Sequence, residues 1–160
     1  MNVRVGLGFD AHPLVKGRPL ILGGVEVPFE KGLSGHSDGD VVVHALLDAL
    51  LGAAALGDKG AHFPSSDPDL KNVSSLFLLE KVGSMLASNE WQVVNLDATI
   101  LAQRPRLGPF IAQMRERIAA TLHLEKTRVS LKVTTTDHLG FTGREEGMAA
   151  YAVALVEAKV

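Results

Sequence analysis

Two histidines and an aspartate are spaced so that they could hold a metal ion together. Asp10 and His12 stand two positions apart after a predicted strand, so extended backbone points both side chains the same way. His44 lies in an apolar segment whose polar positions, Asp40, His44 and Asp48, recur every four residues as one narrow helical stripe. Two imidazoles and a carboxylate are a common zinc ligand set that leaves a fourth position for a substrate oxygen. The spacing allows a zinc site, although a chance Asp-x-His and a buried core histidine fit it as well.

Two loops carry polar groups of the kind that binds phosphate. Residues 35–40 (Gly-His-Ser-Asp-Gly-Asp) lead into the predicted helix, where loop N–H groups favour an anion, although an ordinary N-cap loop looks the same. Residues 134–137 (Thr-Thr-Thr-Asp) and 140–144 (Gly-Phe-Thr-Gly-Arg) follow a predicted strand. Their hydroxyls, carboxylate and guanidinium suit a phosphate with magnesium, or else form a threonine-rich strand end with a turn.

Two glycine-containing stretches imitate nucleotide-binding motifs without meeting their requirements. Residues 6–11 fit G-x-G-x-x-A, but Pro13 follows where a helix would have to begin. Residues 52–59 resemble a phosphate-binding loop, but Asp58 stands where lysine is needed, and the segment ends a helix when it should follow a strand. We therefore expect neither a dinucleotide site nor a P-loop.

Composition excludes several other classes of protein. The 160 residues include no cysteine, so disulfides, thiolate metal sites and thiol nucleophiles are excluded, and any metal must be held by histidine and carboxylate. A net charge of -2 and 5% aromatic residues argue against nucleic-acid binding. The apolar run 41–56 is too short, and too polar at His44 and Asp48, to span a membrane. With no targeting pattern visible, we expect a cytoplasmic protein without membrane contact.

These residues must be positioned by alternating strands and helices. The pattern predicts strands at residues 3–9, 91–101, 128–135 and 147–156, although the alanine content of the last also allows a helix. It predicts a hairpin of 20–22 and 25–29, helices from Asp38 or Asp40 to about 56, at 74–89 and at 108–123, and loops at 32–39, 57–72 and 137–146. This order predicts a single α+β, sandwich-like domain over residues 1–160, with a mixed four-stranded sheet, helices on one face and a small hairpin. The other sheet face needs cover, which we expect from another subunit.

Five strings of residues, in chain order, resemble a single family. They are Gly6-x-Gly8-x-Asp10-x-His12, His36-Ser37-Asp38-Gly39-Asp40-Val41-x-x-His44 continuing to Gly52, Gly57-Asp58-x-Gly60, Phe63-Pro64 with Asp67-Pro68, and residues 134–144. Together they resemble the 2-C-methyl-D-erythritol 2,4-cyclodiphosphate synthases of the non-mevalonate isoprenoid pathway. The resemblance implies a homotrimer with active sites between subunits.

The resemblance also implies a reaction and its cofactors. The substrate would be 4-diphosphocytidyl-2-C-methyl-D-erythritol 2-phosphate, whose 2-phosphate attacks the β-phosphorus and releases CMP. One zinc per chain would be bound by Asp10, His12 and His44, while magnesium or manganese on the diphosphate would be bound by Asp137. His36 and Thr135 would be the catalytic residues, stabilising charge that develops at phosphorus.

Further residues match positions that bind substrate in the family. Asp10, His12, His36 and Ser37 would contact its phosphate end. The methylerythritol part would be held by Asp58, Lys59, Gly60, Phe63, Pro64, Ser65, Ser66 and Asp67. The cytidine part would be held by Ala102, Gln103, Arg104, Pro105, Arg106, Leu107 and Gly108, with Thr134, Thr135, Thr136 and Asp137. Phe141, Arg144 and Glu146 match a cavity on the trimer axis, where an isoprenoid diphosphate would sit.

Three positions depart from the family pattern. Asp137-His138 replaces Glu-Lys, Ser65-Ser66-Asp67 replaces Asp-Thr-Asp, and Arg104-Pro105-Arg106 replaces Ala-Pro-Lys. The first affects magnesium geometry, and the second affects one contact to a sugar hydroxyl. Two other functions use the same ligands: a metal-dependent phosphodiesterase or phosphatase, and a non-catalytic zinc-binding trimer. The reaction products distinguish the three.

Overall fold

A five-stranded mixed sheet organises the chain in the computed structural model, which describes residues 2–159. The strands are β1 (Val3–Lys16), β2 (Leu20–Leu22), β3 (Val25–Val27), β4 (Lys31–Leu33), β5 (Trp91–Leu101), β6 (Val129–Thr134) and β7 (Gly147–Ala158). The helices are α1 (Val41–Ala53), α2 (Lys59–His62), α3 (Ser75–Ser88), α4 (Ile111–Thr121) and α5 (Gly140–Gly143), with 3-10 turns at Pro68–Leu70, Gly108–Phe110 and Lys126–Arg128. The sheet order is β4-β1-β7-β5-β6, in which only β5 and β6 are parallel, and β2 pairs with β3 separately.

The predicted α+β fold with a mixed sheet is confirmed, but the sheet has five strands where four were predicted. The additional strand, β4, lies in a glycine-containing stretch and pairs with the last residues of β1. β1 itself was predicted to end at residue 9, yet it continues through Pro13 to Lys16. Proline is tolerated there because β1 changes partners at this point: Leu14 N–H bonds the Glu146 carbonyl of the β7 side, and Ser34 N–H bonds the Pro13 carbonyl.

The apolar helix α1 is the centre of the molecule. It packs against β1 and β7 on one side and against α3 on the other, so all but two of its 13 residues are buried. A helix that is apolar on nearly every side is expected in such a central position. It ends at Ala53, earlier than the predicted 56, and Ala55 then takes a positive φ of 58° that breaks the helix.

The outer face of β1 and β7 carries an apolar surface that this chain leaves uncovered. Alternate residues Val5, Leu7 and Phe9 of β1 are 68%, 68% and 47% exposed, and they lie beside Tyr151 and Val153 of β7. The rings of Phe9 and Tyr151 have centroids 4.8 Å apart.

Within residues 2–159, no helix combines the length and apolarity that crossing a bilayer requires.

Candidate metal centre and substrate cavity

Asp10, His12 and His44, called the metal cluster below, bring three ligand atoms together. Asp10 Oδ2 lies 2.7 Å from His12 Nε2 and 3.0 Å from His44 Nδ1, and the two imidazole nitrogens are 3.0 Å apart. Four ligands at zinc bond lengths in a tetrahedron would be about 3.3 Å from one another. Three ligand atoms this close could bind one cation, and the donor set fits zinc in its chemistry and nearly in its spacing.

Two glycines of β1 allow α1 to come close enough to form this cluster. A Cβ at Gly6 would stand 1.9 Å from the Ala49 carbonyl oxygen, and one at Gly8 would stand 1.9 Å from the Ala45 carbonyl oxygen. Both glycines face α1, as do Asp10 and His12 further along the same strand. The glycines that resemble a dinucleotide motif thus allow close helix packing, which brings His44 near Asp10 and His12 of β1.

The charges around Asp10 keep it ionised. Burial alone would raise its pKa, but hydrogen bonds with His12 and His44 and the positive charge of Lys59 outweigh burial and hold the pKa well below its ordinary value. Lys59 Nζ lies 3.2 Å from Asp10 Oδ1 and 3.2 Å from Asp48 Oδ2. Burial would lower the pKa of Lys59, and these two carboxylates raise it above its usual value. Asp10 therefore contributes a charged oxygen, Oδ2, as a possible metal ligand.

The polar stripe of α1 divides among three tasks. His44 joins the metal cluster, while Asp48 accepts hydrogen bonds from the backbone and ammonium of Lys59. Asp40 is the N-cap of α1: it accepts from Val43 N–H and ties the β2–β3 turn to the helix through Gly23 and Gly24 N–H. Burial and the neighbouring Asp38 raise the pKa of Asp40 to about 6. The loop of residues 35–40 therefore ends in the N-cap of α1.

A cavity of about 240 Å³ opens beside the metal cluster. Eight predicted site residues line it: His12, His36, Ser37, His44, Lys59, Gly60, Phe63 and Ser65. Leu47, Leu70 and Leu78 complete the wall, and sequence reasoning missed them because nothing in the sequence distinguishes such a leucine from an ordinary core residue. The mixture of one apolar wall with a few polar groups suits a small ligand that has a hydrocarbon part and a charged part.

Other predicted residues of this region support the cavity from outside it. Asp58 caps α2 by accepting from Ala61 N–H, and Asp67 caps the 3-10 turn that begins at Pro68. The carbonyl of Asp67 lies 2.7 Å from His36 Nε2, which fixes the orientation of that ring. Pro64 and Ser66 are exposed on the same loop, and neither is among the residues that line the cavity.

The remaining predicted residues form a second cluster at the ends of β5 and β6, called the strand-end group (residues 102–108 and 134–138). Ala102 N–H bonds the Thr134 carbonyl, and His138 N–H bonds Gln103 Oε1, which joins the two loops. Thr135 Oγ1 lies 3.1 Å from Asp137 Oδ1. Within this group Ala102 and Leu107 are buried, and the exposed Arg104 pairs with Glu145 and Glu30.

The strand-end group and the metal cluster lie at the same end of the sheet but apart from each other. Ala11, Ala149, Leu101 and Thr134 form one row across β1, β7, β5 and β6. Three strand spacings separate the ends of that row, about 14 Å in an ordinary sheet. Across residues 2–159, none of those that line the cavity comes from the strand-end group.

Phe141, Arg144 and Glu146 lie around α5, between the strand-end group and β7. Phe141 is 41% exposed, and Arg144 Nε pairs with Glu146 Oε1 at 2.8 Å. Thr142 of the same turn is buried and shares a 2.8 Å hydrogen bond with Thr136. The turn thus anchors the loop that carries Asp137.

Comparison with known proteins identifies the family. A family model described as the YgbB family matches residues 3–157. The 2-C-methyl-D-erythritol 2,4-cyclodiphosphate synthase of Symbiobacterium thermophilum is 57% identical over 152 residues, covering 95% of this chain and 97% of that one.

Two solved structures agree with this assignment. The bifunctional IspDF from Campylobacter jejuni superposes with a TM-score of 0.94 at 42% identity, and the match covers 98% of this chain and 42% of that longer one. The IspF–CDP complex from Plasmodium falciparum superposes with a TM-score of 0.86 at 26% identity, covering 99% and 98%. The chain described here therefore belongs to the YgbB family, that of the 2-C-methyl-D-erythritol 2,4-cyclodiphosphate synthases.

Proposed function

We propose that this protein converts 4-diphosphocytidyl-2-C-methyl-D-erythritol 2-phosphate into 2-C-methyl-D-erythritol 2,4-cyclodiphosphate and CMP, as a phosphorus–oxygen lyase of the cytoplasm. The observation that carries the proposal is the metal cluster beside a cavity of about 240 Å³, in a chain 57% identical to a synthase of that name. The identity of the substrate is inferred from the names of the relatives, and the metal cluster offers a binding site for its phosphates.

The reaction needs no nucleophile from the protein. An oxygen of the 2-phosphate attacks the β-phosphorus, the bond from that phosphorus to the bridging oxygen of CMP breaks, and the ring closes through a new P–O–P linkage. The chain has no cysteine, and the attacking group is part of the substrate. Catalysis then consists of holding the two phosphates in line and stabilising their charge.

Zinc at the metal cluster, and magnesium or manganese at the diphosphate, would supply positive charge to phosphate oxygens when bound. The chain's own groups act around them. Lys59 brings an ammonium to the cavity wall, and His36 presents a ring fixed by the Asp67 carbonyl. Leu47, Leu70 and Phe63 shield the hydrocarbon part of the substrate from water.

Both clusters serve one substrate in this proposal, and the second comes from a neighbouring subunit. The strand-end group would bind cytidine and, through Asp137, magnesium, with Thr135 as the second catalytic residue. The apolar face of Val5, Leu7, Phe9, Tyr151 and Val153 supports a homotrimer, because a large exposed apolar patch marks a protein interface. Trimer assembly would bring the metal cluster of one chain to the strand-end group of the next, and Phe141, Arg144 and Glu146 to an axial cavity for an isoprenoid diphosphate.

Product analysis tests the function. The substrate is incubated with zinc-loaded protein and magnesium, and the products are resolved by phosphorus NMR and mass spectrometry. We expect a cyclic diphosphate and CMP in equal amounts. An opened, hydrolysed product would establish a phosphodiesterase or phosphatase instead, and unchanged substrate would leave a non-catalytic zinc-binding trimer.

CMP is expected to inhibit at least tenfold more strongly than AMP or GMP, and equal inhibition by all three would refute a cytidine pocket.

A further inference from the structure

His44 has two ring nitrogens, and each faces a different environment. Its Nδ1 belongs to the metal cluster, 3.0 Å from Asp10 Oδ2. Its Nε2 lies 2.9 Å from Ser75 Oγ and 3.0 Å from Ser37 Oγ. A neutral imidazole carries its proton on one nitrogen only, so Nδ1 has a lone pair for a metal only when Nε2 is protonated. The group that keeps the proton on Nε2 therefore determines whether Nδ1 can bind a metal ion.

Asp38 determines which way the Ser75 hydroxyl points. Ser75 Oγ lies 2.5 Å from Asp38 Oδ1, and Ser75 N–H bonds Asp38 Oδ2 at 2.9 Å. An ionised carboxylate only accepts hydrogen bonds, and a hydroxyl has a single proton. The Ser75 proton therefore goes to Asp38, which leaves the oxygen of Ser75 to accept from His44 Nε2–H.

Several hydrogen-bond donors converge on the Asp38 carboxylate. Ser75 is the first residue of α3, so its N–H belongs to the positive end of a 14-residue helix. Asp40 N–H also bonds Asp38 Oδ1 at 3.1 Å. Two backbone N–H groups and a hydroxyl thus converge on one carboxylate, and Ser75 itself is fully buried. Water has little access with which to reverse the Ser75 hydroxyl.

We propose that Asp38 and Ser75 are positioning residues for metal binding. Asp38 fixes the Ser75 hydroxyl, and Ser75 holds His44 in the tautomer and ring orientation that direct Nδ1 toward the metal cluster. The inference rests on the proposed metal site and not on the identity of the substrate. Partners of this kind, hydrogen-bonded to a ligating histidine, typically contribute 10–100-fold to metal affinity.

Ser37 does not perform the same task. Its hydroxyl is 3.0 Å from His44 Nε2 and 3.5 Å from Ser75 Oγ, and it can accept from Nε2–H or donate to an unprotonated Nε2. Ser37 therefore adapts to either tautomer of His44. Of the two serines at His44 Nε2, Ser75 is the one that donates to a carboxylate, Asp38, and that connection selects the tautomer with the proton on Nε2.

The test compares three variants by two measurements. Ser75→Ala and Asp38→Ala remove the directing contact, whereas Ser75→Thr keeps a hydroxyl at the same place. Ser84→Ala is the matched control, because Ser84 is an exposed serine of the same helix that bonds the Glu80 carbonyl. Zinc dissociation constants are measured by competition with a chromogenic chelator. Long-range proton–nitrogen NMR of the zinc-loaded protein reports which nitrogen of His44 carries the proton.

We expect the parent to show His44 protonated at Nε2 and bound through Nδ1. Ser75→Ala and Asp38→Ala are expected to weaken zinc binding at least tenfold, and Ser75→Thr and Ser84→Ala to stay within about twofold of the parent. Parent-like zinc affinity in folded Ser75→Ala would overturn the proposal. A parent protonated at Nδ1 would overturn it without any variant, should the variants fail to fold. Neither measurement uses the substrate, so failure of the proposed reaction is recognised separately.

Discussion

His44 is the one metal-cluster residue that comes from a helix, and the other two come from the strand beneath it. His44→Ala leaves two protein ligands where a catalytic zinc site needs three. We expect this variant to lose zinc and activity but to keep its fold, as measured by metal analysis and circular dichroism. His123→Ala, which changes an exposed histidine outside the cluster, should keep one zinc per chain. Full zinc occupancy in His44→Ala would remove this residue from the site.

Asp137 is the proposed magnesium ligand, at a position where we expect the family to have a glutamate. Its carboxylate stands one methylene shorter than a glutamate would and lies 3.1 Å from Thr135 Oγ1 in an exposed loop. Magnesium is usually bound by one or two carboxylates together with substrate phosphates, so removing this charge should weaken its binding at the diphosphate. We expect Asp137→Asn to need much more magnesium for half-maximal turnover at unchanged zinc content, and Asp137→Glu to remain active. A parent-like magnesium curve in Asp137→Asn would contradict the assignment.

At the scale of residues, the sequence predicts chemistry better than it predicts supporting contacts. The spacing of Asp10, His12 and His44 suggested a metal site, and the structure brings their ligand atoms together. Asp48 was grouped with His44 by helical spacing, yet it holds Lys59. Ser75 could not be found from the sequence, because a serine at the start of a helix is expected for capping alone.

At the scale of elements, the contact between β1 and α1 controls the site. A methyl group at Gly8 would overlap the Ala45 carbonyl, so Gly8→Ala must push α1 away from the strand and His44 away from Asp10. We expect the free energy of unfolding to fall by about 3 kcal/mol, the upper end of ordinary overpacking, and zinc affinity to fall with it. Urea denaturation at fixed protein concentration and chelator competition measure the two effects.

Gly52 provides the control for this prediction, since it lies in α1 with nothing within 4 Å of a Cβ at that position. Gly52→Ala should raise the free energy of unfolding by about 0.5–1 kcal/mol, because alanine loses less backbone freedom in a helix. Zinc affinity should not change. Equal behaviour of the two variants would mean that close helix approach does not position His44.

The sequence predicted elements well where their apolar periodicity was continuous and less well where pairing alone creates them. Strands 91–101 and 147–156 were placed within two residues of the observed ends. The strand β4 and the second half of β1 contain Gly32 and Pro13, which are unfavourable locally. They become strands because residues 10–13 of β1 pair with β7 and residues 14–16 pair with β4, and these tertiary contacts have no local signal.

At the scale of the whole molecule, the exposed apolar face of β1 and β7 is the surface proposed for trimer assembly. Leu7 is 68% exposed at its centre, so Leu7→Asp would place a charge in the proposed trimer interface. We expect the parent to scatter light as three times the 17.0 kDa chain, and Leu7→Asp to scatter as a smaller, inactive species. Phe77→Asp is the control, since Phe77 is 44% exposed on α3, away from this face. A fully active monomer would overturn the shared site.

The separation of the metal cluster from the strand-end group has a consequence for genetics. If neighbouring chains each supply one of the two, alleles damaged in different clusters should complement one another inside mixed trimers. Random assembly of equal amounts of His44→Ala and Asp137→Asn chains gives about one site in four with both clusters intact. A chain that carries both changes would rescue nothing and would spoil the sites of the normal chains beside it. Mutations in one gene would thus fall into two complementing groups, one in the metal cluster and one in the strand-end group.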